Sequence, residues 1–124
     1  MDAGQSVLSM CRELAKCPDW AVALLEGKGM EVFGGGEAGN EMGAWTSVAE
    51  CEAACQRNLD RFFKYILTFA DAKLKDTVDL PFGKGGSLKV FTMAEIMDYP
   101  RWNATYHLGQ IAYIQTLYGD KEMY

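Results

Sequence analysis

With 124 residues the chain has room for one domain, and 49% hydrophobic against 23% charged residues is an ordinary globular balance. No apolar run approaches the roughly 20 residues of a membrane span, which excludes an integral helical membrane protein. Twelve basic against seventeen acidic residues give a net charge of −5, with no Lys/Arg block and no aromatic-basic interleaving, so nucleic acid is excluded as the expected partner.

The opening Met1-Asp-Ala-Gly-Gln-Ser6 lacks a basic region leading into an apolar stretch, and a cytoplasmic location is expected. Ser6 can cap a first helix that carries Val7, Leu8, Met10, Cys11, Leu14, Ala15 and Cys17 on one side. Pro18 removes a backbone donor and crowds the preceding turn, so a kink or a fresh start is expected there, with Trp20, Ala23, Leu24 and Leu25 continuing the stripe. Gly27-Lys-Gly29 ends it.

Seven glycines fall between Gly27 and Gly43, with no sustained periodicity. The spacing predicts a loop, mobile around Gly34-Gly-Gly36, with Met30, Val32 and Phe33 packing locally; a plain connection is favoured over a lid. It is no phosphate loop, since no Gly-Lys-Ser/Thr follows and no strand precedes it.

Ser47-Val-Ala-Glu50 is a capping box opening a second long helix over 47–74. Its inward candidates are Cys51, Ala54, Cys55, Leu59, Phe62, Phe63, Ile66, Leu67, Ala70 and Leu74. The four cysteines, Cys11, Cys17, Cys51 and Cys55, are read as reduced core thiols; Cys51-x3-Cys55 would need ligands from elsewhere to hold zinc. Polar and apolar residues alternate over 76–80 and 87–91 about Pro81-Phe-Gly-Lys-Gly-Gly86, which predicts a small β-hairpin.

The last helix is predicted over 92–118, opened by a second capping box, Thr92-Met-Ala-Glu95. Ile96, Tyr99, Asn103, His107, Gln110, Ile111, Ile114 and Leu117 recur at three- and four-residue steps, so Asn103, Gln110 and the sole histidine fall on the buried stripe. Unpaired buried polar groups cost roughly 1–3 kcal/mol each, so this row either closes a hydrogen-bond network or lines a pocket for water, metal or ligand. Pro100, one turn before Asn103, either shapes that site or is a tolerated kink.

His107-Leu-Gly-Gln-Ile111, with Asn103 one turn earlier, resembles the last helix of DinB-like proteins, whose pattern is His-x3-His followed by Gly-Gln and an aliphatic residue. The hairpin with Pro81-Phe-Gly just before that helix is similar to theirs as well. A looser likeness joins Ser6-Val7, with Glu13-Leu-Ala seven residues on, to the family's second helix, which carries a histidine where Glu13 stands. The resemblance implies an all-α, antiparallel DinB-like helical bundle. In it three long helices and the hairpin belong to this chain, and the fourth bundle helix, absent from the alignment, is missing or supplied by a partner subunit. It also implies a homodimer, whose adaptable contact surface Met10, Met93 and Met97 would suit.

Carried over position by position, the family's metal-binding histidine triad becomes the degenerate set Glu13, Asn103 and His107. That set can form a hydrogen-bond network, an altered zinc or nickel site, or a metal-free His107–Glu13 pair in which Glu13 orients a general base. The reading favoured is a DinB-like protein binding a small ligand or partner in a polar pocket of Glu13, Tyr99, Asn103, His107 and Gln110. The alternative is a metal-assisted or thiol-dependent transferase or hydrolase acting through His107. A third, purely structural reading makes His107 a satisfied core histidine and dimerisation the whole story.

Overall fold

The computed structural model describes residues 6–29 and 37–119. They are mostly helical: α1 (Val7–Leu25), α2 (Glu37–Ala44), α3 (Val48–Leu67) and α4 (Met93–Leu117), with a two-stranded antiparallel sheet, β1 (Thr77–Leu80) and β2 (Lys89–Thr92), before the last helix. Among the described residues no helix is long and apolar enough to cross a membrane.

Ser6 starts α1 as expected, its Oγ accepting from the Ser9 amide at 3.0 Å. The helix then runs through Pro18 without a restart. Proline deprives the carbonyl four residues back of its donor and pushes on the preceding turn. Here α3 supplies donors to that turn: Cys55 Sγ lies 3.8 Å from Leu14 O, and Asn58 Nδ2 donates to Ala15 O at 2.8 Å. The interruption is thereby absorbed in a helix–helix seam.

The direction of α3 corrects the antiparallel expectation. Arg12 meets Trp45, Leu14 meets Cys55, Ala15 meets Asn58 and Asp19 pairs with Arg61, so residue numbers climb together and α1 and α3 run parallel. The cause is the connection over residues 26–47, long enough to carry the chain back along the 19 residues of α1, a distance of about 28 Å. α4 is antiparallel to α1, with Glu13 against His107 at one end and Leu24 in one cluster with Ile96 at the other. Both long helices pack chiefly on α1.

Within the glycine-rich stretch, expected to be a loop throughout, residues Glu37–Ala44 form α2. Met30, Val32, Phe33 and Gly34-Gly-Gly36 lie outside the described residues. The α3 capping box is present, Ser47 and Glu50 satisfying each other's backbone donors at 3.1 and 3.2 Å. That helix stops at Leu67 rather than near residue 74. Thr68 ends it by turning its hydroxyl back onto Tyr65 O at 3.0 Å, a local bond that competes with another helical turn. Phe63 and Leu67, expected inside, are 53% and 85% exposed.

The hairpin pairs Thr77 with Thr92 and Leu80 with Lys89. A Cβ on Gly83 would lie 2.7 Å from the Ser87 carbonyl oxygen, so only glycine lets the turn close this tightly. The chain before β1 also caps α4: the amides of Met93 and Ala94 donate to Asp76 O and Leu74 O, at 2.8 and 3.2 Å, beside the Thr92/Glu95 capping box. Two apolar clusters result. The larger joins Val22, Leu24, Leu25, Phe62, Leu80 and Ile96 around the C-terminal half of α1; the smaller packs Trp45 on Ala15, Cys51 and Ala54.

Candidate functional site

The polar stripe of α4 faces the N-terminal half of α1. Ile96, Asn103 and His107 are buried, while Tyr99, Gln110, Ile111 and Ile114 are half-buried. The stripe then opens, leaving Leu117 60% exposed. The two apolar anchors at its ends, Ile96 and Ile114, hold the three polar residues between them.

His107 Nδ1 lies 2.7 Å from Gln110 Oε1 and its Nε2 lies 2.6 Å from Glu13 Oε2. Both ring nitrogens are thus approached by side-chain oxygens, one from α4 itself and one from α1. The approach of Glu13 is a close polar contact rather than an aligned hydrogen bond, since Glu13 Oε2 has no donor in line. Asn103, one turn back and 3% exposed, has a buried Oδ1 without a partner.

Of the five expected pocket residues, Glu13, His107 and Gln110 are thus in contact, Asn103 lies one turn away on the same buried face, and Tyr99 stands apart from the trio. Tyr99 joins two environments. Burial first, then the nearby Cys17 and Glu13, push its phenol up to about 12. On its other side it lines a cavity of about 650 Å³ between the end of α1, the hairpin and the start of α4, within the range of small-ligand sites. Leu24, Leu80 and Ile96 form the cavity's apolar floor, and Phe82 and Trp102 stand with Tyr99 in its wall. The expected polar pocket is therefore two features: a closed interhelical cluster and an aromatic cavity that share Tyr99 as their boundary.

The aromatic wall continues along α4. Phe82, Tyr99, Trp102 and Tyr106 stack with centroid steps of 6.4, 6.0 and 5.4 Å and planes within 25° of each other, and Tyr106 sets its edge at His107 at 5.5 Å. Sequence reasoning missed this ladder, although Tyr99, Trp102 and Tyr106 carry its signal in their three- and four-residue spacing. It also missed Lys16, only 6% exposed, whose Nζ lies 2.6 Å from both Asp19 and Glu41; Asp19 in turn pairs with Arg61. That network ties α1, α2 and α3 together with its buried charge fully paired.

The donors do not suit zinc or nickel. Both imidazole nitrogens are engaged by protein oxygens, the third group is an amide, and among the described residues no three His, Cys, Asp or Glu side chains converge as a metal site. The cysteines supply no activated thiol. Cys17 is fully buried, and burial, followed by the charges of Glu13 and Cys55, raises its thiol pKa far from the depressed range a nucleophile needs; burial also raises Cys11, Cys51 and Cys55. No family model, curated protein or solved structure matches the chain.

Proposed function

We propose that this is a small-ligand-binding protein of DinB-like type, in which the position of the family's metal triad is taken by a polar cluster of Glu13, Asn103, His107 and Gln110. The observation that carries the reading is the placement of Tyr99, which faces the Glu13 and Cys17 environment and also walls the 650 Å³ cavity. Glu13, His107 and Gln110 fix the α1–α4 spacing from behind; the cavity takes the ligand in front. With four free cysteines the chain suits a reducing compartment, and we place it in the cytoplasm.

The same reading makes it a homodimer through α4, whose Leu108, Tyr113 and Leu117 are 66%, 65% and 60% exposed. A second reading, the metal-assisted or thiol-dependent transferase or hydrolase working through His107, is favoured by one observation: the buried Asn103 Oδ1, without a hydrogen-bond partner, lies on the same helix seam as the His107–Glu13 contact.

Elemental analysis of protein purified without chelator, together with light scattering and calorimetric titration with 2-naphthalenemethanol, separates the two. The binding reading expects far less than one metal per chain, twice the monomer mass, and saturable uptake of the aromatic alcohol that Trp102→Ala weakens. One metal per chain, lost in His107→Ala, overturns the metal-free binding reading and turns the search to metal-assisted and thiol-transfer activity.

A further inference from the structure

The charged groups around the cavity are not equally free, and the difference selects a ligand. Three charged side chains line it: Glu95, Asp98 and Lys89. Glu95 Oε1 already accepts from the Thr92 amide at 3.1 Å and the Thr92 hydroxyl at 3.2 Å, as half of the α4 capping box. Asp98 is held by both prongs of Arg101, at 2.6 and 2.7 Å, and this pairing pulls the Asp98 carboxyl below its ordinary range. Lys89 has no such partner. Its Nζ stands 5.3 Å over the centre of the Phe91 ring, and among the described residues it makes no ion pair.

An ammonium over an aromatic face gains modestly and keeps its hydrogen-bond donors open. In the same cavity lining, Tyr99 and Trp102 stack with their planes 16° apart and supply aromatic surface beside the floor of Leu24 and Ile96. An organic cation would meet the resident ammonium, an Asp98 carboxylate with both oxygens held by Arg101, and a Glu95 carboxylate with one oxygen committed to the capping box. A planar or elongated apolar molecule ending in a carboxylate meets a free ammonium at one end and aromatic surface along its body.

We infer that the cavity is a binding site for apolar carboxylic acids, aromatic ones foremost, with Lys89 receiving the carboxylate and the Tyr99–Trp102 wall receiving the ring. This rests on the reading of the cavity as a small-ligand site. Lys89 serves here as a specificity determinant: it is exposed on β2, outside both apolar clusters, so replacing it changes charge without removing core. The chain's net charge of −5 works against any anion at long range, so selectivity has to arise from this local contact and to weaken as salt rises.

The test is calorimetric titration of the full chain, and of Lys89→Met, with three probes of one shape: 2-naphthoate, 2-naphthalenemethanol and 2-naphthylmethylammonium. The expected result is that naphthoate binds at least about tenfold more tightly than the other two, the ratio of a charge-assisted contact. In Lys89→Met that advantage disappears while the alcohol's affinity holds. An ammonium that binds as tightly as the carboxylate, or a carboxylate preference that survives Lys89→Met, overturns the ligand class and leaves the cavity a site for neutral or cationic aromatics. Failure of all three probes to bind overturns the small-ligand reading itself.

Discussion

The two faces of α1 solve the same problem with different chemistry. Toward α3 the N-terminal half of the seam packs small residues, Ala15, Cys51 and Ala54, under Trp45, Phe62 fills its other end, and Cys55 and Asn58 supply donors to the backbone before Pro18. Toward α4 the seam carries a titratable pair, an amide with an orphaned oxygen, and an aromatic wall that leaves a cavity. The first face is built to be closed. The second gives up packing to a row of buried polar groups and an opening.

The contrast breaks first at Trp45, which is 8% exposed and has no small neighbour able to swell into its place. Trp45→Ala is expected to cost about 3–5 kcal/mol in denaturant unfolding and to leave naphthoate binding by the remaining folded protein unchanged. A loss below about 1 kcal/mol would mean that the α3 face is not the tight one. Smaller, and on the same face, Asn58→Ala strips the donor from the Ala15 carbonyl and is expected to cost about 1–3 kcal/mol. In a Pro18→Ala background, where the helix can relax toward its own hydrogen bonds, the cost of the Asn58 change should fall measurably; equal costs in both backgrounds would show that the proline is not what Asn58 answers.

On the other face, a double-mutant cycle of Glu13→Gln and His107→Gln is expected to give a coupling of about 0.5–3 kcal/mol, since the two side chains meet directly at 2.6 Å. Additive losses would reduce His107 to an ordinary core histidine. The smallest effect is spectroscopic. Tyr99, raised to about 12, should contribute a late step to an absorbance titration, and Tyr99→Phe should remove that step. Because the folded protein holds this proton more tightly than the unfolded chain, Tyr99 stabilises the fold below about pH 10, and that contribution is lost as pH rises from about 10 to about 12.

Much of this was written in the sequence wherever local chemistry decided. Both capping boxes, the Ser6 cap, the hairpin and the stripe from Ile96 to Ile114 follow from short-range spacing, and they stand where the spacing puts them. The meeting of Glu13 with His107 was legible only through a likeness to other chains, because nothing local connects residues so far apart. What stayed hidden depended on which helix lay beside which. The parallel course of α3 is permitted by the length of a connection, and α3 ends where Thr68 turns its hydroxyl back onto Tyr65 O, with Phe63 and Leu67 left exposed. Lys16 reads as a surface lysine until Glu41 is brought over it. The cavity needed the hairpin, α1 and α4 together, and Lys89 carries no signal of its own.

Because α3 and α4 each find their main partner in α1, neither long helix keeps its principal packing once α1 is lost; among the described elements only the hairpin pairs with itself. Sequence-adjacent helices that pack on each other can melt and re-form as local units; here the central element is also the earliest one in the chain, and most of what stabilises it comes from partners some 40 to 90 positions further on. Unfolding should therefore be concerted, and backbone amides in the middle of α1 should exchange with solvent only when the entire structure opens.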